Sequence, residues 1–174
     1  MKDSEKPHYD VTAGLIWKDG KLLISKRAKG THLEGFWEFP GGKQEAGEEL
    51  SECLEREIGE ELGIEARVVE PLLTVDHEYR DKRISLHVFN CTWVRGEPVA
   101  LACQEIRWVE WNELSVFRFP PPDIKIIERL TRENEAGRME QGAGSKEQGV
   151  TSNQQQVTSN EQPATRRYDV QPQR

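Results

Sequence analysis

GKQEAGEELSECLEREIGEELGI, residues 42–64, is the stretch on which the fold and the chemistry turn. Across residues 49–62 the apolar side chains Leu50, Leu54, Ile58 and Leu62 recur at four-residue steps and stop at Gly63, which predicts an amphipathic helix closed by a glycine cap. Either Glu49 or Ser51 can serve as its N-cap. At about 100° per residue, Glu57, Glu60 and Glu61 project onto one face. Like charges at that spacing destabilise a helix by a few tenths of a kcal/mol per pair. No lysine or arginine shares their immediate arc, so a divalent cation is the natural partner. Carboxylate oxygens are hard ligands suited to magnesium or manganese, and magnesium normally keeps water positions that a phosphate chain can occupy.

Upstream, Pro40-Gly41-Gly42-Lys43 adds a loop whose glycines let backbone approach a ligand closely and whose lysine offers a point charge to phosphate. Before it, Tyr9 to Trp17 alternates Val11, Ala13, Leu15 and Trp17; Asp19-Gly20 marks a tight turn, and Lys21 to Lys26 returns as a hairpin partner. A short run, Phe36 to Phe39, precedes the loop. Downstream, strands are expected over Arg67 to Tyr79, Arg83 to Val94 and Ile106 to Trp111, with Ile84, Leu86 and Val88 facing away from Phe89 and Cys91. After Phe119-Pro-Pro-Pro122 a final helix carries Ile124, Ile127 and Leu130. That order predicts an α+β fold, a mixed sheet sandwiched between helices.

The chain of 174 residues has 31 acidic against 24 basic residues, a formal charge of -7. This disfavours nucleic acid as the main partner, although an acidic protein can bind phosphate through a local site or a metal. No apolar run resembles a signal peptide or a membrane span, so a soluble cytoplasmic protein is expected, as a monomer or homodimer. Cys53, Cys91 and Cys103 form neither a metal pattern nor an even disulfide framework. Residues 132–174 are polar, balanced in charge and poor in large apolar side chains, and are expected to be a low-complexity, disordered tail beyond a domain at residues 1–131. Within the tail, VTSNQQQ from residue 150 is followed by VTSNEQP from residue 157, a seven-residue duplication with one apolar position per unit, too few for a coiled coil.

An acidic helix face alone is usually solvated surface. Here the spacing is longer: Gly42, five residues to Glu48, seven more to Arg56-Glu57, then Ile58, Gly59, Glu60-Glu61, Leu62, Gly63 and Ile64. The segment is similar to the complete Nudix box, Gly-x5-Glu-x7-Arg-Glu-U-x-Glu-Glu-x-Gly-U with U apolar, and the likeness extends from about Tyr9 to Leu130. The resemblance implies a magnesium-dependent hydrolase, with manganese as a substitute, on the α/β/α Nudix sandwich. It gives Glu60, Glu61 and the Gly41 carbonyl as metal ligands, Glu57 as general base or ligand, and Glu48 and Arg56 as ties between loop and helix.

The flanking residues resemble the MutT group, which hydrolyses nucleoside triphosphates to monophosphate and pyrophosphate. That likeness implies substrate contacts at Arg27, His32, Glu38, Phe39, Pro40, Gly41, Lys43 and Lys82. Trp37 either stacks on the base or packs in the core. Where oxidised-guanine members read the base with an Asn, this chain has Asp123. Ionised, Asp123 only accepts hydrogen bonds, as an exposed cytosine amino group requires; protonated, it also donates, and it can instead cap a helix. The substrate expected is a pyrimidine or broad set of triphosphates, with oxidised dGTP next. A glutamate that many MutT-like enzymes carry six residues before the tryptophan matching Trp108 is Ala102 here, with Glu105 the nearest acid. The competing readings are another Nudix substrate (a dinucleoside polyphosphate, a nucleotide sugar or an RNA 5′ end) and a non-catalytic nucleotide-binding module.

Overall fold

A computed structural model describes residues 6–143, with side chains as far as residue 134. Six strands and two helices appear in the order β1 (His8–Lys18), β2 (Lys21–Lys26), β3 (Trp37–Glu38), α1 (Leu50–Leu62), β4 (Glu65–Glu78), β5 (Arg83–Arg95), β6 (Glu105–Glu110) and α2 (Pro121–Ala143), with a 3-10 segment at Trp111–Val116. The strands form one sheet ordered β3-β2-β1-β5-β4, with β6 on the other edge of β2. β1 and β5 run parallel from His8↔Arg83 to Trp17↔Thr92, and every other pairing is antiparallel. The sheet is therefore mixed, as expected.

Alternation within the strands splits the core into two layers. On one face Ala13, Leu15, Leu22, Ile24, Leu86 and Val88 pack against Ile126 and Leu130 of α2. On the other, Ile16, Leu23, Phe89 and Cys91 pack against Leu54, Ile58 and Leu62 of α1. The opposition of Ile84, Leu86 and Val88 to Phe89 and Cys91 thus divides two cores rather than core from solvent. Trp37 belongs to the first core, edge-on to Phe117 with ring centroids 5.2 Å apart.

α1 follows the expected four-residue pattern. Its N-cap is Glu49, whose N–H donates to Glu52 Oε2 at 3.3 Å, and it ends at Gly63 in the left-handed region, φ 66°. α2 departs from expectation. It starts inside the proline run, because the first helical turn has free N–H positions that proline does not need. That early start turns the buried face to Pro122, Asp123, Ile126 and Leu130, and leaves Ile124 45% exposed. The helix also continues past the expected boundary at residue 131. Around that boundary the helix has local support from Arg129–Glu133 at i, i+4 and from the side chains of Thr131 and Asn134 on the carbonyls four residues back. The duplication at residues 150–163 lies outside the described residues.

One feature of the sheet places the site. β2 pairs with β1 only at Trp17 and Lys18, so the N-terminal half of that β1 edge is open to another partner. Residues 40–44 take it: Gly14 N–H donates to the Pro40 carbonyl at 2.8 Å, Thr12 N–H to Gly42 at 2.8 Å, and Gln44 N–H to Asp10 at 3.0 Å. The glycine loop is thereby fixed as a strand-like segment between β1 and α1. Among the described residues no helix is long and apolar enough to cross a membrane.

Candidate active site

The glycines of the loop are needed by close approach. Gly41 has φ 151°, and a Cβ there would lie 2.2 Å from the Thr12 carbonyl oxygen. At Gly42 a Cβ would lie 2.2 Å from the carboxyl carbon of Glu57. β1 therefore touches one side of the loop and the helix carboxylate touches the other.

Arg56 organises the helix side. Its Nε and Nη2 donate to the two Glu48 oxygens at 2.7 and 3.0 Å, and Nη1 reaches Glu57 Oε1 at 2.9 Å and Glu60 Oε2 at 3.2 Å. The guanidinium and the Glu45 N–H hold the Glu48 carboxyl down to about 2. No lysine or arginine shares the helical arc of these glutamates, yet a cation reaches them. Arginine's long, forked side chain reaches back to them from the preceding position, which a projection of Cβ directions misses.

The three helix glutamates share a backbone face, but their side chains fan out. Glu60 is largely solvent-exposed on Arg56, Glu57 lies on Gly42, and Glu61 points inward. Among the described residues no three carboxylate, histidine or cysteine donors gather about one centre. Glu61 carries the clearest demand for a counter-charge. Its Oε2 is buried with no hydrogen-bond partner, and the carboxyl is pushed up to about 7 by burial first, then by the charges of Glu38 and Glu57. Hydrogen bonding from the Gly41 backbone and the Arg27 charge offset this only in part. A hard divalent cation fits such a position, since it would satisfy the orphan oxygen and relieve the repulsion together.

Beside the loop lies a cavity of about 510 Å³. It brings together most of the expected substrate residues: Arg27, His32, Glu38, Phe39, Gly41, Gly42, Lys43, Lys82 and Asp123 all line it. Pro40 does not; it is buried, and its carbonyl is spent on β1. Glu57, Glu60 and Glu61 of α1 also lie off its wall. Arg27 pairs with Glu38, and its Nε donates to the His32 carbonyl at 2.7 Å, so one guanidinium ties β2, β3 and the intervening loop. Burial raises the Glu38 carboxyl despite that arginine.

Asp123 closes the far end. It is 5% exposed, and its Oδ1 accepts the Phe39 N–H at 3.3 Å. Burial, followed by the Glu38 charge, pushes it up to about 8, which favours the protonated form, and a protonated carboxyl can both donate and accept. It sits inside the first turn of α2 rather than capping it. Glu105 is occupied elsewhere, bonded to Arg107 at 2.6 Å on β6 and near Lys26. The loop carrying Ala102 instead caps α1: the N–H groups of Leu101 and Ala102 donate to the Glu61 carbonyl at 3.0 and 3.4 Å, and that of Val99 to Leu62 at 2.9 Å.

Among the lining residues that the sequence did not mark, two are aromatic. Tyr79, at the β4–β5 turn, meets His32 edge-on at 5.1 Å and so joins the turn to the β2–β3 loop beside the cavity. Tyr9 stands two residues before Val11 on the same strand face. Running the Val11, Ala13, Leu15 alternation one step backward would have found Tyr9, whereas nothing in the sequence singles out Tyr79.

Comparison with known proteins shows what the chain as a whole is similar to. An 8-oxo-dGTP diphosphatase of Haemophilus influenzae is 37% identical over 130 residues, covering 74% of this chain and 96% of that one. A CTP pyrophosphohydrolase of Escherichia coli is 35% identical over 119 residues, covering 68% and 88%. The crystal structure of a MutT protein from Methanosarcina mazei superposes with a TM-score of 0.69 at 29% identity, over 75% of this chain and 97% of that chain. The family model described as the NUDIX domain matches residues 12–129, from the strand that seats the glycine loop to the helix that carries Asp123, and the chain belongs to that family.

Proposed function

We propose that the protein hydrolyses nucleoside triphosphates to the monophosphate and pyrophosphate with magnesium as its working ion, and that cytosine nucleotides lead its substrates. The observation that carries this is the composition of one cavity: basic Arg27, Lys43 and Lys82 on its wall beside the loop that adjoins the glutamate helix, and a buried Asp123, its carboxyl raised by that burial, at its far end. A protonated carboxyl offers one donor and one acceptor side by side, which complements the ring nitrogen and exocyclic amino group of cytosine. The relative named a CTP pyrophosphohydrolase supports that choice. A second reading, oxidised dGTP, is favoured by the relative named an 8-oxo-dGTP diphosphatase and by the same donor-acceptor pair, which also suits a purine edge.

The chain's own groups divide the work. Lys43 and Lys82 attract the phosphate chain, and Arg27 holds the His32 loop beside it. Glu61, Glu57, Glu60 and the Gly41 carbonyl are the groups that would hold the metal, with Glu61 the one most in need of it. When bound, a divalent cation neutralises charge developing on the phosphates. Glu57, held against Gly42 and by Arg56, is placed to orient a water and accept its proton. The Arg56–Glu48 pair keeps loop and helix in register while this happens. Such a substrate is a free nucleotide of the cytoplasm, and no nucleic acid or membrane is required.

The test is an assay of canonical, oxidised and methylated nucleoside triphosphates for pyrophosphate release, with magnesium and then manganese. Monophosphate plus pyrophosphate, with CTP or dCTP ranked first, is the expected result. Orthophosphate, other fragments, or no turnover of any triphosphate would overturn it.

A further inference from the structure

The cations of the cavity are held in different ways. Arg27 is engaged by Glu38 and the His32 carbonyl. Lys43 has no carboxylate partner among the described residues; its Nζ lies 3.4 Å from the centroid of the Tyr9 ring. The main chain of Lys43 is held on two sides, by the bridge to Val11 of β1 and by Arg56 Nη2, which donates to its carbonyl at 3.5 Å. Tyr9 is itself half-buried, packs on the first core and lines the same cavity. The ring is therefore fixed by β1, while the lysine above it has a flexible four-carbon stem that would otherwise sample many rotamers. A cation within about 6 Å of an aromatic face is attracted to it yet keeps its full charge for an incoming anion. An ion pair in the same place would have to be broken first.

We infer that Tyr9 is a positioning residue for substrate binding: its ring face seats the Lys43 ammonium at the cavity wall, so that the charge is already in place when a phosphate chain arrives. The inference rests on the proposed nucleotide reading, with Lys43 as the phosphate contact. Ordering the lysine in advance removes part of the entropy that binding would otherwise cost. Lys82 is the counterexample within the same cavity. Its Nζ is 5.5 Å from the Tyr79 centroid, and that ring also meets His32 and His77 edge-on, so it holds its lysine less closely.

The experiment compares full-length Tyr9→Leu, Tyr9→Ile, Tyr9→Phe, Lys43→Met and the double variant Tyr9→Leu/Lys43→Met. Steady-state kinetics on the best triphosphate of the panel is joined by equilibrium binding of its non-hydrolysable α,β-methylene analogue, and melting temperatures identify a variant that merely fails to fold. Tyr9→Leu and Tyr9→Ile are expected to raise KM and Kd by about two- to fivefold, the size of an exposed cation–π contact, with little change in kcat. Tyr9→Phe, which keeps the ring face, is expected to recover most of that loss, and the double variant to be no weaker than Lys43→Met alone. Parent-like KM and Kd in both aliphatic variants, Tyr9→Phe as weak as Tyr9→Leu, or effects that multiply in the double variant would each overturn the inference. Lys43→Met with parent-like binding would instead overturn the phosphate role of Lys43, and the inference with it.

Discussion

Two arginine–carboxylate pairs flank the active site, and they treat their acids in opposite ways. On the helix side Arg56 grips both oxygens of Glu48, a backbone N–H adds to them, and the carboxyl is held at about 2. On the sheet side Arg27 faces Glu38, yet that carboxyl is raised, as are Glu61 and Asp123 nearby. The difference lies in the balance between desolvation and hydrogen bonding. Arg56 engages both Glu48 oxygens and the Glu45 N–H adds a third contact, which outweighs desolvation, whereas Arg27 meets Glu38 through one nitrogen and desolvation prevails there. The helix pair is thus a finished scaffold, and the sheet side is a site short of positive charge, which is what a cation and its phosphate-bearing substrate require.

Substitutions at the centre of that deficit should have the largest effect. Glu57→Gln and Glu61→Gln are each expected to lower magnesium-dependent turnover by roughly 10²–10⁴-fold, with an unchanged circular dichroism spectrum. Full turnover in both would show that the deficit is not catalytic.

Next comes the arginine on the deficient side. Arg27→Met leaves Glu38 buried without its cation and should cost on the order of 3 kcal/mol at pH 8 in chemical denaturation. The loss should shrink at pH 5, where Glu38 can take up a proton. An equal loss at both pH values would place the role of Arg27 in packing.

The contrast between the acids also has a sign that can be measured. Glu48, lowered in the fold, contributes stability that is present above its ordinary value near 4.5 and is lost as pH falls toward about 2. Glu61 behaves oppositely: the unfolded chain releases its proton near 4.5 and the folded chain near 7, so ionisation costs stability across that window and in full above it. Glu61→Gln should therefore stabilise the cation-free protein at pH 8 by on the order of 2 kcal/mol and leave it unchanged at pH 4. Denaturant midpoints at the two pH values check this. The smallest effect concerns Asp123: Asp123→Asn should reorder the preferred bases across the triphosphate panel more than it lowers overall rate, and equal losses on every base would make it a structural contact.

The helix side was the part legible in sequence, because its chemistry is local. The spacing of Glu48, Arg56, Glu57, Glu60 and Glu61 needs only helical geometry to become a site, and the same periodicity located Leu54, Ile58 and Leu62 in the core. The sheet side is assembled from elements far apart in the chain. Resemblance to a family marked Glu38 and Asp123 as lining residues, but not that burial raises Glu38, Glu61 and Asp123 and that the Glu38 charge adds to the shift of the other two. That depends on burial, which no motif encodes. On α2, Leu130 and Ile127 pack on the first core, but Ile124 is exposed and the contact between Asp123 and Phe39 belongs to a helix begun within the prolines rather than after them.

Manganese titration of the purified protein, followed by electron paramagnetic resonance at pH 6 and pH 8, tests the charge deficit most directly. Binding should be tighter at pH 8, where Glu61 is ionised, and should weaken strongly in Glu61→Gln at the higher pH. Equal affinity in parent and variant, with no dependence on pH, would contradict the account.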